Sequence, residues 1–261
     1  MTLNQLKRGE SIDKQSPIPL YYQIMNQLRE KISAGEYTVD SALPPERELV
    51  ETYQVSRMTI RQAIAELVNE GILVRRKGIG TFVARPKLEQ PLNSLTSFTE
   101  DMAQRGMKAG SRIISFRETV PDPPLRRTLG LSAEEKVFEC VRLRLADEEP
   151  MALETTTLVA SVCPGLRRED LENQSLYKLL AERWGVELEY ATQSVEPLLA
   201  PPYEASLLHV APGAPLLLMH RVTYDHNDRV FEHVKSLYRG DRYKLVTELR
   251  RQPGKGPAIR S

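Results

Sequence analysis

Between residues 20 and 34 apolar side chains recur at Tyr21, Ile24, Leu28 and Ile32, the spacing of one face of a helix. Pro17 and Pro19 precede the pattern, and Gly35 stands where such a helix would stop. In "LPPERELVETYQV" the Pro-Pro pair suits a helix's first turn, and Leu49, Val50 and Tyr53 supply a short apolar face. Ser56 is a good N-cap for a third helix, which carries Ile60, Ile64, Leu67 and Val68 inward and ends at Gly71. Residues 73–76 and 81–84 then read as two strands around a turn at 77–80. Three short helices followed by a hairpin predict a winged helix-turn-helix over residues 17–84.

The pattern changes after "RPKLEQPL", residues 85–92, where charges and two prolines read as an interdomain linker. Strands are expected at 112–119, 137–146, 151–159, 187–196, 215–224, 230–238 and 244–250, with helices at 96–106, 124–129, 175–184 and 203–208. This order suits antiparallel meanders with helices on one side better than a parallel wind. The fold class is therefore α+β, with an N-terminal winged domain and a mostly antiparallel C-terminal domain over 93–250. Polar residues 1–16 read as a mobile extension and 251–261 as a flexible tail.

Composition narrows the classes. The chain has 261 residues, 41% of them hydrophobic, enough for two real cores, and no apolar stretch approaches a membrane span. The N-terminus lacks the apolar block of a signal peptide, so a cytoplasmic protein is expected. Cys140 and Cys163 form no disulfide framework and have no zinc-ligand spacing, so neither metal nor cofactor is expected. Net charge is only +1, yet residues 56–85 carry six basic side chains against two acidic ones. That excess is about what a small phosphate-contacting surface needs, although charge runs are more often solvated faces.

Arg57 and Arg61 lie four apart and project from one side of the third helix, with Thr59 between them. Arginine can bond guanine through O6 and N7, and the helix N-terminus aims backbone N–H groups at phosphate. In the wing, Lys77 brings charge while Gly78 and Gly80 let the backbone approach the duplex closely. Each feature alone is explained as well by a solvated helix face and an ordinary turn; their order and spacing together favour DNA.

The segment "LPPERELVETYQVSRMTIRQAIAELVNEGILVRRKGIGTFV" resembles the DNA-binding domain of GntR-type bacterial transcription regulators. "LTSFTEDMAQRGMKAGS", "EPMALETTTL" and "FEHVKSLYRGDRY" resemble the UTRA effector domain of the HutC branch, a chorismate-lyase-like fold. Within that branch the chain resembles the N-acetylglucosamine-utilisation repressors. The resemblance covers about residues 17–250. It implies that Arg47, Ser56, Arg57, Thr59, Arg61, Lys77, Gly78 and Gly80 meet DNA. It also implies a homodimer, assembled through the C-terminal domain, on a near-palindromic operator, since two-fold symmetry in the protein mirrors that of the site.

A second chemistry sits in "VRLRLA". Alternation places Arg142 and Arg144 on one sheet face, about 7 Å apart, where they repel unless an anion or carboxylates lie between them. The next strand brings Glu154, "FEHVKSLY" puts Glu232, Ser236 and Tyr238 on a common face, and Ser175 suits the cap of a helix. Spacing alone favours surface ion pairs. The resemblance instead implies a sugar-phosphate site. There Arg142, Arg144, Ser175 and Thr99 hold the phosphate, and Glu154, Glu232, Tyr238 and the Phe98 backbone hold an amino sugar. The implied effector is N-acetylglucosamine-6-phosphate or glucosamine-6-phosphate. The alternatives are a sugar-phosphate-processing enzyme, with Glu154 and Glu232 as its carboxylate pair, or a branch member reading another metabolite. Against an enzyme, the chain has no P-loop, GxSxG or HExxH, and its four histidines are scattered.

Overall fold

Helix α1, Leu20–Ser33, buries Ile24, Met25 and Leu28. Helix α2, Glu46–Tyr53, buries Leu49 and Tyr53, and α3, Arg57–Asn69, buries Ile60, Ala63, Ile64 and Leu67. These side chains, with Leu43, Leu73 and Val83, form one core. The α2–α3 turn runs through Gln54 in the left-handed region (φ 51°), and Ser56 caps α3 by accepting from the Thr59 N–H at 3.1 Å. Strands β1, Leu73–Arg76, and β2, Gly80–Val83, pair antiparallel to form the wing. The turn between them needs a glycine at Gly78, where φ is 75°.

The computed structural model describes residues 12–76, 78–172 and 174–249. It divides into two compact units at the Pro86–Lys87 bond. Lys77, residues 1–11 and the expected tail at 251–261 lie outside the described residues. Of the expected mobile extension at 1–16, the described part begins at Ile12 and is held against the first unit. Ile12 packs on the first core, and the Asp13 N–H donates to Gln23 Oε1 at 2.9 Å.

The linker reading also needs correction. Leu88–Pro91 forms strand β3, which pairs in parallel with a strand at Tyr243–Val246. Four residues ending in proline carry almost no strand signal of their own; the partner some 150 residues on supplies the ladder. The second unit continues with helix α4, Phe98–Gln104, and strand β4, Ala109–Thr119. Then follow α5, Pro123–Thr128, and the hairpin of β5, Val137–Ala146, with β6, Glu149–Val159. Helix α6, Leu176–Trp184, precedes β7, Tyr190–Leu199, and α7, Pro202–Leu208. Strands β8, Pro215–Tyr224, β9, Val230–Arg239, and β10, Tyr243–Val246, complete it.

Six of these strands form one antiparallel sheet in the order β4-β5-β6-β9-β8-β7. Helix α7 packs on one face with Leu143, Leu153, Leu216 and Leu237. On the other face α6 packs through Leu176 and Leu180, and α4 through Phe98 and Met102. Register places the polar chemistry on the latter face: Arg142 lies opposite Glu154, Glu154 opposite Ser236, and Ala152 opposite Tyr238.

Candidate functional site

A cavity of about 790 Å³, counting the space at its open mouth, lies between the sheet and the N-terminal ends of α4 and α6. Phe98, Thr99, Arg142, Arg144, Glu154, Glu232 and Tyr238 all line it. Ser175 does not. It caps α6 by accepting from the Lys178 N–H, and its Oγ lies 3.5 Å from Ser97 Oγ, which caps α4 with a reciprocal bond from Glu100. Two helix N-termini thus converge at one end of the cavity, each contributing positive potential.

The arginines are not surface ion pairs, since Arg142 and Arg144 each keep only 4% of their surface exposed. Arg142 donates to Glu154 Oε1 at 2.6 Å and reaches Thr156 Oγ1 at 3.4 Å. Arg144 donates to Thr99 Oγ1 at 3.3 Å and lies over the Phe98 ring at 4.6 Å. Nε and Nη1 of Arg142 and Nε of Arg144 have no partner among the described residues. Buried donors of this kind are costly unless a partner arrives. Burial works against the Glu154 charge, but Arg142 and Arg144 outweigh it and hold the carboxyl below its ordinary value. For Arg144, burial and the neighbouring Arg142 charge prevail over Glu154 and lower its pKa.

Glu232 behaves oppositely. Its Oε2 accepts from Tyr177 at 2.8 Å and from Thr223 at 2.7 Å, yet burial outweighs both bonds and raises its pKa. Burial likewise pushes the Tyr238 hydroxyl up to about 12, so it remains a neutral donor. The sequence reading missed Arg221, which also lines the cavity and donates to Gln193 Oε1 at 2.9 Å. Alternation along β8 with Thr223 would have placed Arg221 on this face, but only the β8–β9 register shows that the face is the Glu232 one. Tyr177, Gln193, Thr96 and Ser97 were missed too, because they reach the cavity from other elements. Three guanidiniums face Glu154, the raised Glu232 carboxyl and Asp101, and with Asp101 already engaged by Arg105 at 2.7 Å the cavity is left short of negative charge.

The first unit presents a different surface. Arg57 begins α3 and is exposed, Arg47 is exposed on α2, and Arg61 projects from the second turn of α3. Ser56 and Thr59 hydroxyls lie 2.9 Å apart within the cap. Gly78 and Gly80 sit in the wing turn, closed by the Ile79 N–H donating to Arg76 at 3.0 Å. The basic excess is smaller than the window count suggested, because acids outside that window fold against it. Glu46 accepts from Arg61 at 2.9 Å, Glu51 from Arg47 at 3.1 Å, and Asp40 from both Arg76 and Arg85. The Arg85 bond foremost, with Arg76, outweighs burial and holds the Asp40 carboxyl below its usual range. These pairs are exposed and weak, and phosphates can replace the acids.

A winged helix-turn-helix followed by a sheet domain with a buried, anion-hungry cavity defines a ligand-responsive DNA-binding regulator. The chain belongs to that class by sequence as well: residues 20–83 match the bacterial regulatory proteins of the gntR family, and residues 104–244 match the UTRA domain. It is 45% identical to the HTH-type transcriptional repressor NagR of Bacillus subtilis, over 90% of this chain and 97% of that one. It is 34% identical to the repressor PhnF of Mycolicibacterium smegmatis, over 87% and 91% of the two chains. The crystal structure of PhnF from Mycobacterium smegmatis superposes with a TM-score of 0.62 at 33% identity, covering 88% of this chain and all of that one. The protein is an HTH-type transcription regulator, and the enzyme alternative falls with its relatives being repressors. No helix among the described residues is long and apolar enough to cross a membrane.

Proposed function

We propose that the protein is a homodimeric repressor of amino-sugar uptake and catabolism genes. A phosphorylated amino sugar, N-acetylglucosamine-6-phosphate or glucosamine-6-phosphate, releases it from a near-palindromic operator. One observation carries the reading: two buried arginines with unpartnered donors line a cavity at which two helix N-termini meet. Planar guanidinium forks suit phosphate oxygens, and the hydroxyls of Ser97 and Thr99, which line the same cavity, add polar partners. Glu154, Glu232, Tyr238 and the Phe98 backbone, at the cavity wall, suit sugar hydroxyl and acetamido groups. Arg47, Ser56, Arg57, Thr59, Arg61, Lys77, Gly78 and Gly80 form the DNA-contacting set. The effector weakens operator binding only through its differential affinity for the DNA-competent and released states, typically about 1–3 kcal/mol or 5–150-fold.

The test pairs a thermal-shift panel of phosphosugars and free sugars with operator binding by Arg144→Ala. Phosphorylated amino sugars raise the melting temperature and their unphosphorylated forms do not. Arg144→Ala retains operator affinity within about twofold and loses release by effector. Normal release in that variant would refute the phosphate assignment, and stabilisation by an unrelated metabolite would refute the amino sugar.

A further inference from the structure

The outer stripe of α3 carries Arg57, Met58, Arg61 and Gln62, all exposed. Their spacing puts four side chains side by side over the first turns of the helix. Three are unremarkable on a solvated face. Met58 is not: 70% of it is open to solvent, while Ile60, Ala63, Ile64 and Leu67 take the core positions. Among the described large apolar residues of this unit only Ile79, at the wing tip, is comparably open at 73%; the others reach 47% at most. The two apolar side chains left most uncovered therefore sit on the two elements that a winged helix-turn-helix turns toward a duplex.

Three nearby polar side chains are already engaged. Thr59 and Ser56 bond each other, and Arg61 bonds Glu46. Met58 has no group for phosphate or water. The apolar feature of the major groove is the 5-methyl of thymine, and an unbranched thioether side chain adapts readily to such a contact. We infer that Met58 packs on a thymine methyl in each operator half-site, fixing an A·T pair beside the bases read by arginine. This rests on the DNA-reading assignment of the first unit, and the experiment separates the two.

The full chain selects operators from a random duplex pool, and each thymine is then replaced singly by deoxyuridine, which removes only the methyl. Wild-type protein loses about fourfold in affinity per half-site at one thymine position, equivalent to ~0.8 kcal/mol for one such group removed from water. Met58→Ala binds the thymine and deoxyuridine duplexes equally at that position, and Met58→Leu retains the preference. Met58 lies outside the core, so both variants keep the wild-type melting temperature. Wild-type indifference to every deoxyuridine, or equal sensitivity in Met58→Ala, overturns the inference while leaving DNA reading intact. A pool that enriches no sequence overturns both.

Discussion

At Glu232 the cavity holds a carboxyl where water hardly reaches, and its ionisation works against folding. Burial raises its pKa, with the Thr223 and Tyr177 hydroxyls only partly offsetting the cost. A group whose pKa is raised on folding contributes stability below its unfolded value and loses it as pH climbs through the folded one. Glu232→Gln keeps an oxygen for both hydroxyls and cannot ionise. The variant's melting temperature should therefore exceed the wild type's increasingly between pH 4 and pH 8 in phosphate-free buffer. A gain of about 2–4 °C corresponds to ~1 kcal/mol for a domain of this size. Parallel curves across that range would mean that Glu232 is not held in its neutral form. Glu154, 12 residues along β5–β6 from Arg142, has the opposite sign, because Arg142 and Arg144 hold it ionised. Two carboxyls in one cavity thus take different roles from their neighbours alone. Alternation put Arg142 and Arg144 on one face of their strand and Glu232, Ser236 and Tyr238 on one face of theirs. That these faces are the same one, with Glu154, was implied by the resemblance and follows from the register. The sequence did not display the strand order, and so Arg221 stayed hidden.

Among the elements, the weak signals were those that depend on a distant partner. Helices α1, α2 and α3 announce themselves through apolar spacing and local start signals, Pro19 and Pro45 before the first two and the Ser56 cap of the third. Strand β3 has no such local signature and exists through β10, whose position is set by the turn after β9. Gly240 in that turn donates to the Pro215 carbonyl at 3.1 Å, and a Cβ built there would lie 2.7 Å from the same oxygen. The obstructing atoms are the backbone of Pro215, so no flexible side chain can yield. Beside it Glu149 accepts from Arg239 and Arg242, locking the end of the sheet. Gly240→Ala should cost about 1–3 kcal/mol and lower the melting temperature by roughly 3–10 °C. Because Gln90 and Pro91 of β3 line the cavity, the variant should also bind effector more weakly. A variant with wild-type melting and effector affinity would show that the turn relaxes without moving β10.

On the scale of the whole molecule, two compact units joined at the Pro86–Lys87 bond should unfold as two transitions, not one. Each carries its own core, one built around Ile24, Leu28 and Leu67, the others on the two faces of the six-stranded sheet. This separation gives a direct measure of which ligand binds where. A ligand at about 100 times its dissociation constant stabilises the native state of the unit it occupies by ~2.7 kcal/mol, and under the proposed function that ligand for the sheet domain is N-acetylglucosamine-6-phosphate or glucosamine-6-phosphate. In scanning calorimetry it should raise the transition of the sheet domain by roughly 5–10 °C and leave the winged domain where it was. Operator duplex should do the reverse. Coupling between the sites is reciprocal, so each ligand must weaken the other by one common factor. With both present, the shift caused by operator should shrink when phosphosugar is added, and the phosphosugar shift should shrink equally in free-energy terms when operator is added. Strictly additive shifts would mean that the two sites do not communicate, and the cavity would then serve something other than control of DNA binding.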